Sequence, residues 1–188
     1  VAGRIAREFE NAAAQELRQV STTSGSCTVL FSSIEASPSL LVLGAGPDAE
    51  PVVRFATELG WRCTVADHRP AYIENRSLPA GTESLCCPAD QVANRLELHT
   101  FDMAIVMSHH LASDRAYLRQ LAATDIGYVG LLGPGGRRDR LMRDLSEVAP
   151  ALQDRLHGPA GIALGGRGPG PIALSIVAEM QQYLQQRS

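Results

Sequence analysis

Three short stretches of this sequence bring together residue types suited to holding an anion. The first is Gly44-Ala45-Gly46-Pro47-Asp48-Ala49, which follows the apolar run Leu40 to Leu43 and precedes a helical pattern. It reads as G-x-G-x-x-A, the looser form of a dinucleotide fingerprint. Gly44 permits a tight turn, Gly46 lets a pyrophosphate approach the main chain, and Ala49 lets the helix pack closely on the strand. The helix start behind the turn offers N–H groups and the positive end of a dipole to a phosphate. Pro47 removes one N–H from that cradle. Asp67 closes the next strand about 20 residues on, where an acid would read a ribose 2′-OH. His68 and Arg69 follow it, and Arg69 suits a 2′-phosphate or the phosphate of another ligand. The competing reading is a turn that packs tightly and holds nothing, with Arg69 a solvated surface residue.

The second stretch, Ser108-His109-His110, directly follows the apolar run Phe101 to Met107. Ligands of open α/β sheets bind outside the carboxyl ends of the strands. A histidine pair there suits a ligand oxygen, a metal or a proton, and Asp114 is placed to orient one imidazole. Alternatively, Ser108 caps the next helix and one histidine points to water. The third stretch runs from Gly130 through Gly133-Pro134-Gly135-Gly136 to Arg137 and Arg138. Its backbone N–H groups and two guanidinium forks suit an oxyanion, or else form a turn ahead of a solvated basic face. Glu179 lies in an otherwise apolar run, as a functional acid or an exposed helix residue. Cys86 and Cys87 precede a proline in a loop, and a sulfur-carrying role there requires a lowered thiol pKa. No Ser-His-Asp spacing, H-E-x-x-H or paired carboxylate set stands out, so the sequence advertises a binding site more clearly than a catalytic one.

These stretches need strands behind them and helices after them. Residues 1–19 read as a helix, with apolar positions from Ala2 to Leu17 on one face. Ser21 to Ser26 is a loop, Cys27 to Ile34 is strand-like, and a boundary falls near residue 36, separating an extension of residues 1–36 from a domain of residues 37–188. Strands are expected at Leu40 to Leu43, Arg62 to Ala66, Phe101 to Met107, Ile126 to Leu132 and Gly161 to Leu164. Helices are expected at Asp48 to Leu59, Asp90 to Leu98, Leu111 to Ala123, Arg137 to Val148 and Gly170 to Gln186, with Gly60 ending the first of them. The alternation predicts an α/β, Rossmann-like, mostly parallel sheet with helices on both faces, preceded by a short helix and strand.

Composition excludes several classes. Of 188 residues, 45% are hydrophobic and 20% charged, as in globular chains. The net charge of −3 gives no basic excess for nucleic acid. All 17 cationic residues are arginine, so neither a P-loop lysine nor a Schiff-base amine is available from this chain. No run of about 18 apolar residues offers a membrane span, and Val1 to Phe9 has no apolar core of the signal-peptide kind. The cysteines Cys27, Cys63, Cys86 and Cys87 form neither a zinc set nor a C-x-x-C pair, which points to free thiols and a cytoplasmic location.

Four motifs carry a family resemblance: "LLVLGAGPDAEPVVRFATELGWRCTVADHRP", "AIVMSHHLASD", "YVGLLGPGGRRDRL" and "HGPAGIALGGRGPGPIALSIVAEM". In this order, from about Leu40 to Met180, they resemble the C-terminal Rossmann domain of the XdhC/CoxI family. These are accessory proteins for maturation of xanthine dehydrogenase and related molybdenum hydroxylases. The resemblance implies a non-catalytic chaperone. Such a protein binds the molybdenum cofactor (molybdopterin), shields it during sulfuration by a cysteine desulfurase, and helps deliver it to an apo molybdenum hydroxylase. It also implies a domain able to hold an NAD(P)-like dinucleotide. Gly44, Ala45, Gly46, Pro47, Asp67, His68 and Arg69 would hold the phosphate and sugar end. Ser108, His109, His110, Gly133 and Arg137 would line the same crevice. A homodimer through the amphipathic first helix is a further expectation. The rivals are an NAD(P)-dependent oxidoreductase, which needs a substrate domain with a proton donor, and a ligand-free scaffold or one part of a two-part accessory protein.

Overall fold

The computed structural model describes residues 15–22, 25–32, 36–74 and 77–187. The chain divides into two compact units, Val1–Ala36 and Ser37–Ser188. In the first, strand β1 (Gln15–Thr22) pairs antiparallel with β2 (Gly25–Ser32), placing Leu17 opposite Leu30 and Val20 opposite Cys27. Gln15 to Gln19 are therefore strand, whereas the sequence spacing predicts helix; the rest of that predicted helix lies outside the described residues. Leu17 suits either periodicity. A partner strand that pairs all eight residues, with Thr28, Val29 and Phe31 on it, overrides a weak local helical preference.

The second unit is a six-stranded parallel sheet. Along the chain run β3 (Ser39–Leu43), α1 (Ala49–Glu58), β4 (Arg62–Asp67), α2 (Pro70–Glu74), β5 (Glu83–Cys86), β6 (Met103–Val106), α3 (Leu111–Leu121), β7 (Tyr128–Leu131), α4 (Gly135–Asp144), α5 (Ala149–Leu152), β8 (Leu156–His157) and α6 (Pro169–Arg187). The spatial order is β5-β4-β3-β6-β7-β8. This is the Rossmann-like α/β architecture expected from the alternation of strand and helix patterns.

Strand period two explains the apolar runs. Leu40, Val42, Val65, Met103 and Ile105 face one core, closed by Val52, Val53 and Ala56 of α1 and by Ala173, Ile176 and Val177 of α6. Leu41, Leu43, Ala66, Ala104 and Val106 face the other, closed by Tyr117, Leu118 and Leu121 of α3 and Leu141 of α4. A strand covered on both faces needs apolar residues at every position, hence "LLVL" and "MAIV". Gly60 follows α1 with a positive φ of 81° and donates to the Thr57 carbonyl, ending the helix where the sequence places its cap.

Three elements differ from expectation. Glu83–Cys86 is a strand that the sequence reading leaves as loop; its residues are mostly exposed at the sheet edge, so it carries no apolar run. Asp90 to Leu98 is two short 3-10 turns, Ala89–Asn94 and Leu98–Thr100, rather than one helix. Gly161 to Leu164 is not a strand, and the edge is β8. Ile162 N–H instead donates to the Ser175 carbonyl and Gly161 N–H to the Glu179 carboxylate, so this segment is tied to α6. Among the described residues no helix is long and apolar enough to cross a membrane.

Candidate functional site

The chain leaves β3 toward β4 and β5 on one side, and leaves β6 toward β7 and β8 on the other. The carboxyl ends of β3 and β6 therefore form the topological switch point, where open α/β sheets leave a crevice for ligands. The loops Gly44–Asp48 and Ser108–His110 form its two lips.

Gly44 has a φ of 116°, and a Cβ on it would lie 2.6 Å from Ser108 N and 2.7 Å from the Met107 carbonyl. Only glycine allows the first lip to lie this close to the main chain of the second. Ala45 N–H donates to Asp67 Oδ2 at 2.7 Å, which ties the turn to the end of β4. Pro47 is exposed on the rim. Asp48 stands just before α1 and makes no cap bond there; its carboxylate pairs with His109 Nε2 at 2.9 Å.

Asp67 is fully buried. Its two oxygens also accept from Arg69 N–H at 2.9 Å, Arg69 Nε at 2.9 Å and Arg69 Nη2 at 2.8 Å. His68 Nδ1 is 3.4 Å from Oδ1. Burial raises the pKa of this carboxyl, but the Arg69 fork and the two backbone donors outweigh it, leaving the pKa below the usual carboxylate value. The Arg69 guanidinium in turn packs over the Tyr72 ring at 3.8 Å.

On the second lip, His109 is the single non-glycine residue with positive φ among the described residues, at 60°. Such backbone strain in a non-glycine residue concentrates at functional sites. Its ring lies over Gly46, 3.6 Å from where a Cβ would stand. His110 caps α3: its Nδ1 accepts from Ser113 N–H, and its ring centroid is 6.4 Å from that of His68. Ser108 is buried and its hydroxyl donates to Asp114 Oδ1. Asp114, also buried, takes Arg137 Nε at 2.8 Å and Nη2 on Oδ2. Asp114 thus holds a hydroxyl and a guanidinium, not an imidazole as the sequence suggests. Arg137 lies against Gly133, where a Cβ would meet its Cδ at 2.6 Å. Arg138 turns away, its Nε donating to the Leu156 carbonyl, so the paired forks expected at this loop point in different directions.

Of the predicted residues, the glycine turn, Asp67 to Arg69, Ser108 to His110, Gly133 and Arg137 thus converge on the carboxyl ends of β3, β4, β6 and β7. Asp48 and Tyr117 are additions. The acid Asp48 was hidden inside the fingerprint. Tyr117 reads as one more apolar position of α3, yet its buried hydroxyl finds no hydrogen-bond partner among the described residues. Burial, with Asp67 and Cys87 nearby, pushes its pKa up. Glu179 lies outside the crevice, accepting from Tyr128 Oη and Gly161 N–H and facing His157 Nδ1 at 3.3 Å. Burial pushes the thiols of Cys63, to about 11, and Cys87 upward, opposite to activation. An open concavity of about 630 Å³ near Leu96, Leu98 and Gln120 precedes β6 and β7 and so opens at the opposite end of the strands. Among the described residues no three histidine, cysteine or acidic side chains are grouped to hold a metal ion.

Residues 40–180 match the family model of the XdhC Rossmann domain. The chain is 34% identical over 149 residues to a Bacillus subtilis (strain 168) protein named as a probable xanthine dehydrogenase subunit, covering 79% of this chain and 44% of that protein. It is 27% identical over 183 residues to an uncharacterized protein, YqeB, of Escherichia coli (strain K12), covering 96% of this chain and 32% of the relative. A crystal structure of a protein named a xanthine dehydrogenase, from Bacillus halodurans, superposes with a TM-score of 0.72 at 32% identity, over 87% of this chain and 46% of that one. The chain spans less than half the length of each.

Proposed function

We propose that this chain, which belongs to the XdhC family through its Rossmann domain, serves the maturation of a xanthine dehydrogenase-type molybdenum hydroxylase by holding a phosphate-bearing cofactor in the switch-point crevice. The relatives named for xanthine dehydrogenase supply the partner class. The observation that carries the ligand class is the packing of the glycine turn against the main chain at Met107 and Ser108, with two arginines and three histidines around it.

The donor set suits an oxyanion. Gly46 carries no side chain beneath the His109 ring, and α1 begins directly behind the turn, so a phosphate that displaced the ring would meet main chain and a helix start. Arg69 and Arg137 are held by buried carboxylates, so the orientation of their remaining N–H groups is set before a ligand arrives. The buried Tyr117 hydroxyl, without a partner among the described residues, adds a polar group to the same neighbourhood. The phosphate of the molybdenum cofactor fits this set, with Gly46, His109 and Arg137 as its holders. The cofactor would supply the redox-active metal; these residues would bind and orient its phosphate and keep water from it. An NAD(P)-like dinucleotide fits the same turn.

Thermal unfolding of the purified chain with NAD, NADP, FAD, AMP and freshly released molybdenum cofactor tests this reading. A ligand that binds only the folded state raises the melting temperature by mass action. A rise with the molybdenum cofactor supports the chaperone role. A rise with NAD or NADP alone moves the reading to a dinucleotide protein, and no rise with any of them overturns it.

A further inference from the structure

The two sides of the crevice differ, and the β4 side carries a selectivity that the glycine turn alone does not. An acid at the end of the second strand reads a ribose only if its oxygens are reachable. Those of Asp67 are not. The side chain is fully buried, and Ala45 N–H, Arg69 N–H, Arg69 Nε and Arg69 Nη2 all donate to it. A ribose hydroxyl arriving here would have to displace a guanidinium from a buried carboxylate. Arg69 itself is presented. Its side chain is one-third exposed, gripped by Asp67 at one edge and lying 3.8 Å from the Tyr72 ring. A guanidinium has five N–H donors. Asp67 occupies Nε and one hydrogen of Nη2, so Nη1 is left to meet a ligand with the group's rotation already fixed. His68, also partly exposed, is the neighbouring donor.

We propose that Arg69, held by Asp67 and assisted by His68, forms a subsite for a phosphate monoester on the 2′ position of an adenosine. The crevice then takes 2′-phosphorylated dinucleotides, of the NADP class, in preference to unphosphorylated ones. The proposal rests on the reading of the crevice as a nucleotide and phosphate site. A dianion gains charge-assisted hydrogen bonds from a guanidinium that a hydroxyl cannot match. The negative charge of Asp67 is offset by the donors that face it, the Arg69 guanidinium among them.

Calorimetric titration of the full chain with 2′,5′-ADP and with 5′-AMP tests this, since the two differ only in the 2′-phosphate. The expected result is at least about tenfold tighter binding of 2′,5′-ADP, with the ratio falling toward one in Arg69→Gln. Equal affinities in the parent chain overturn the 2′-phosphate subsite and leave the nucleotide reading standing. A preference that survives in Arg69→Gln removes Arg69 from it. Binding of neither ligand overturns both. The comparison in the parent chain decides the matter even if the variant does not fold.

Discussion

Asp67 shows how one residue can keep its place in a motif and change its work. Its position after β4 is that of a ribose acid, but its geometry is that of an internal anchor for the glycine turn and Arg69. Replacing it with asparagine turns an amide N–H donor toward groups that themselves donate and leaves Arg69 without its counter-charge. Asp67→Asn is expected to cost about 1–3 kcal/mol at neutral pH. The carboxyl pKa is depressed in the folded state. Its stabilisation is therefore complete above the ordinary value of 3.8 and is lost as pH falls through the lower, folded value. Urea unfolding of parent and variant should show a constant gap between pH 7 and pH 5 that narrows at pH 3 (settings of about these values suffice). A gap unchanged at acid pH would assign the loss to packing instead.

At the scale of elements, acid–base pairs join the loops that no strand joins. Asp114 of α3 holds Arg137 of α4 and the hydroxyl of Ser108 just after β6, so three elements meet on one carboxylate. His109 reaches back to Asp48 at the start of α1. If the Asp114–Arg137 pair links α3 to α4, Asp114→Asn and Arg137→Gln will each destabilise the chain. The double variant should then fall short of their sum by about 0.5–3 kcal/mol. A double-mutant cycle in urea measures this, and strict additivity would mean that the two helices are held by their apolar faces alone. Tyr117 belongs to the same scale: α3 presents it as part of an apolar stripe, and its buried hydroxyl has no hydrogen-bond partner among the described residues.

At the scale of the molecule, the chain comprises two compact units, and the whole crevice lies in the second. A protein of residues 37–188 is therefore expected to keep a cooperative thermal transition with a midpoint within a few degrees of the full chain. Circular dichroism melts check this; loss of the transition would show that the antiparallel pair is part of the same cooperative core. The match to the XdhC Rossmann domain over residues 40–180 falls within that same unit.

The sheet and most of the crevice residues were legible in the sequence because they rest on local chemistry. Strands buried on both faces must be apolar at every position, and a turn that touches another main chain must have glycine. Gly44 could be named from the second requirement, Gly46 from the fingerprint, and Asp67, Ser108 and Arg137 from their places after apolar runs or a glycine turn. The partners could not. Whether Asp67 meets a ribose or Arg69, whether Asp114 meets an imidazole or a guanidinium, and whether Gln15 to Gln19 coil or pair depend on groups brought near by the fold. The edge strand Glu83–Cys86 escaped for the same reason, since it is set by pairing with β4 and only Leu85 of its residues packs against a core. Residue order was enough to set the architecture and the place of the crevice. Which charges stay free at that crevice was set by packing in three dimensions, because a buried carboxylate takes whichever donors the fold leaves within reach.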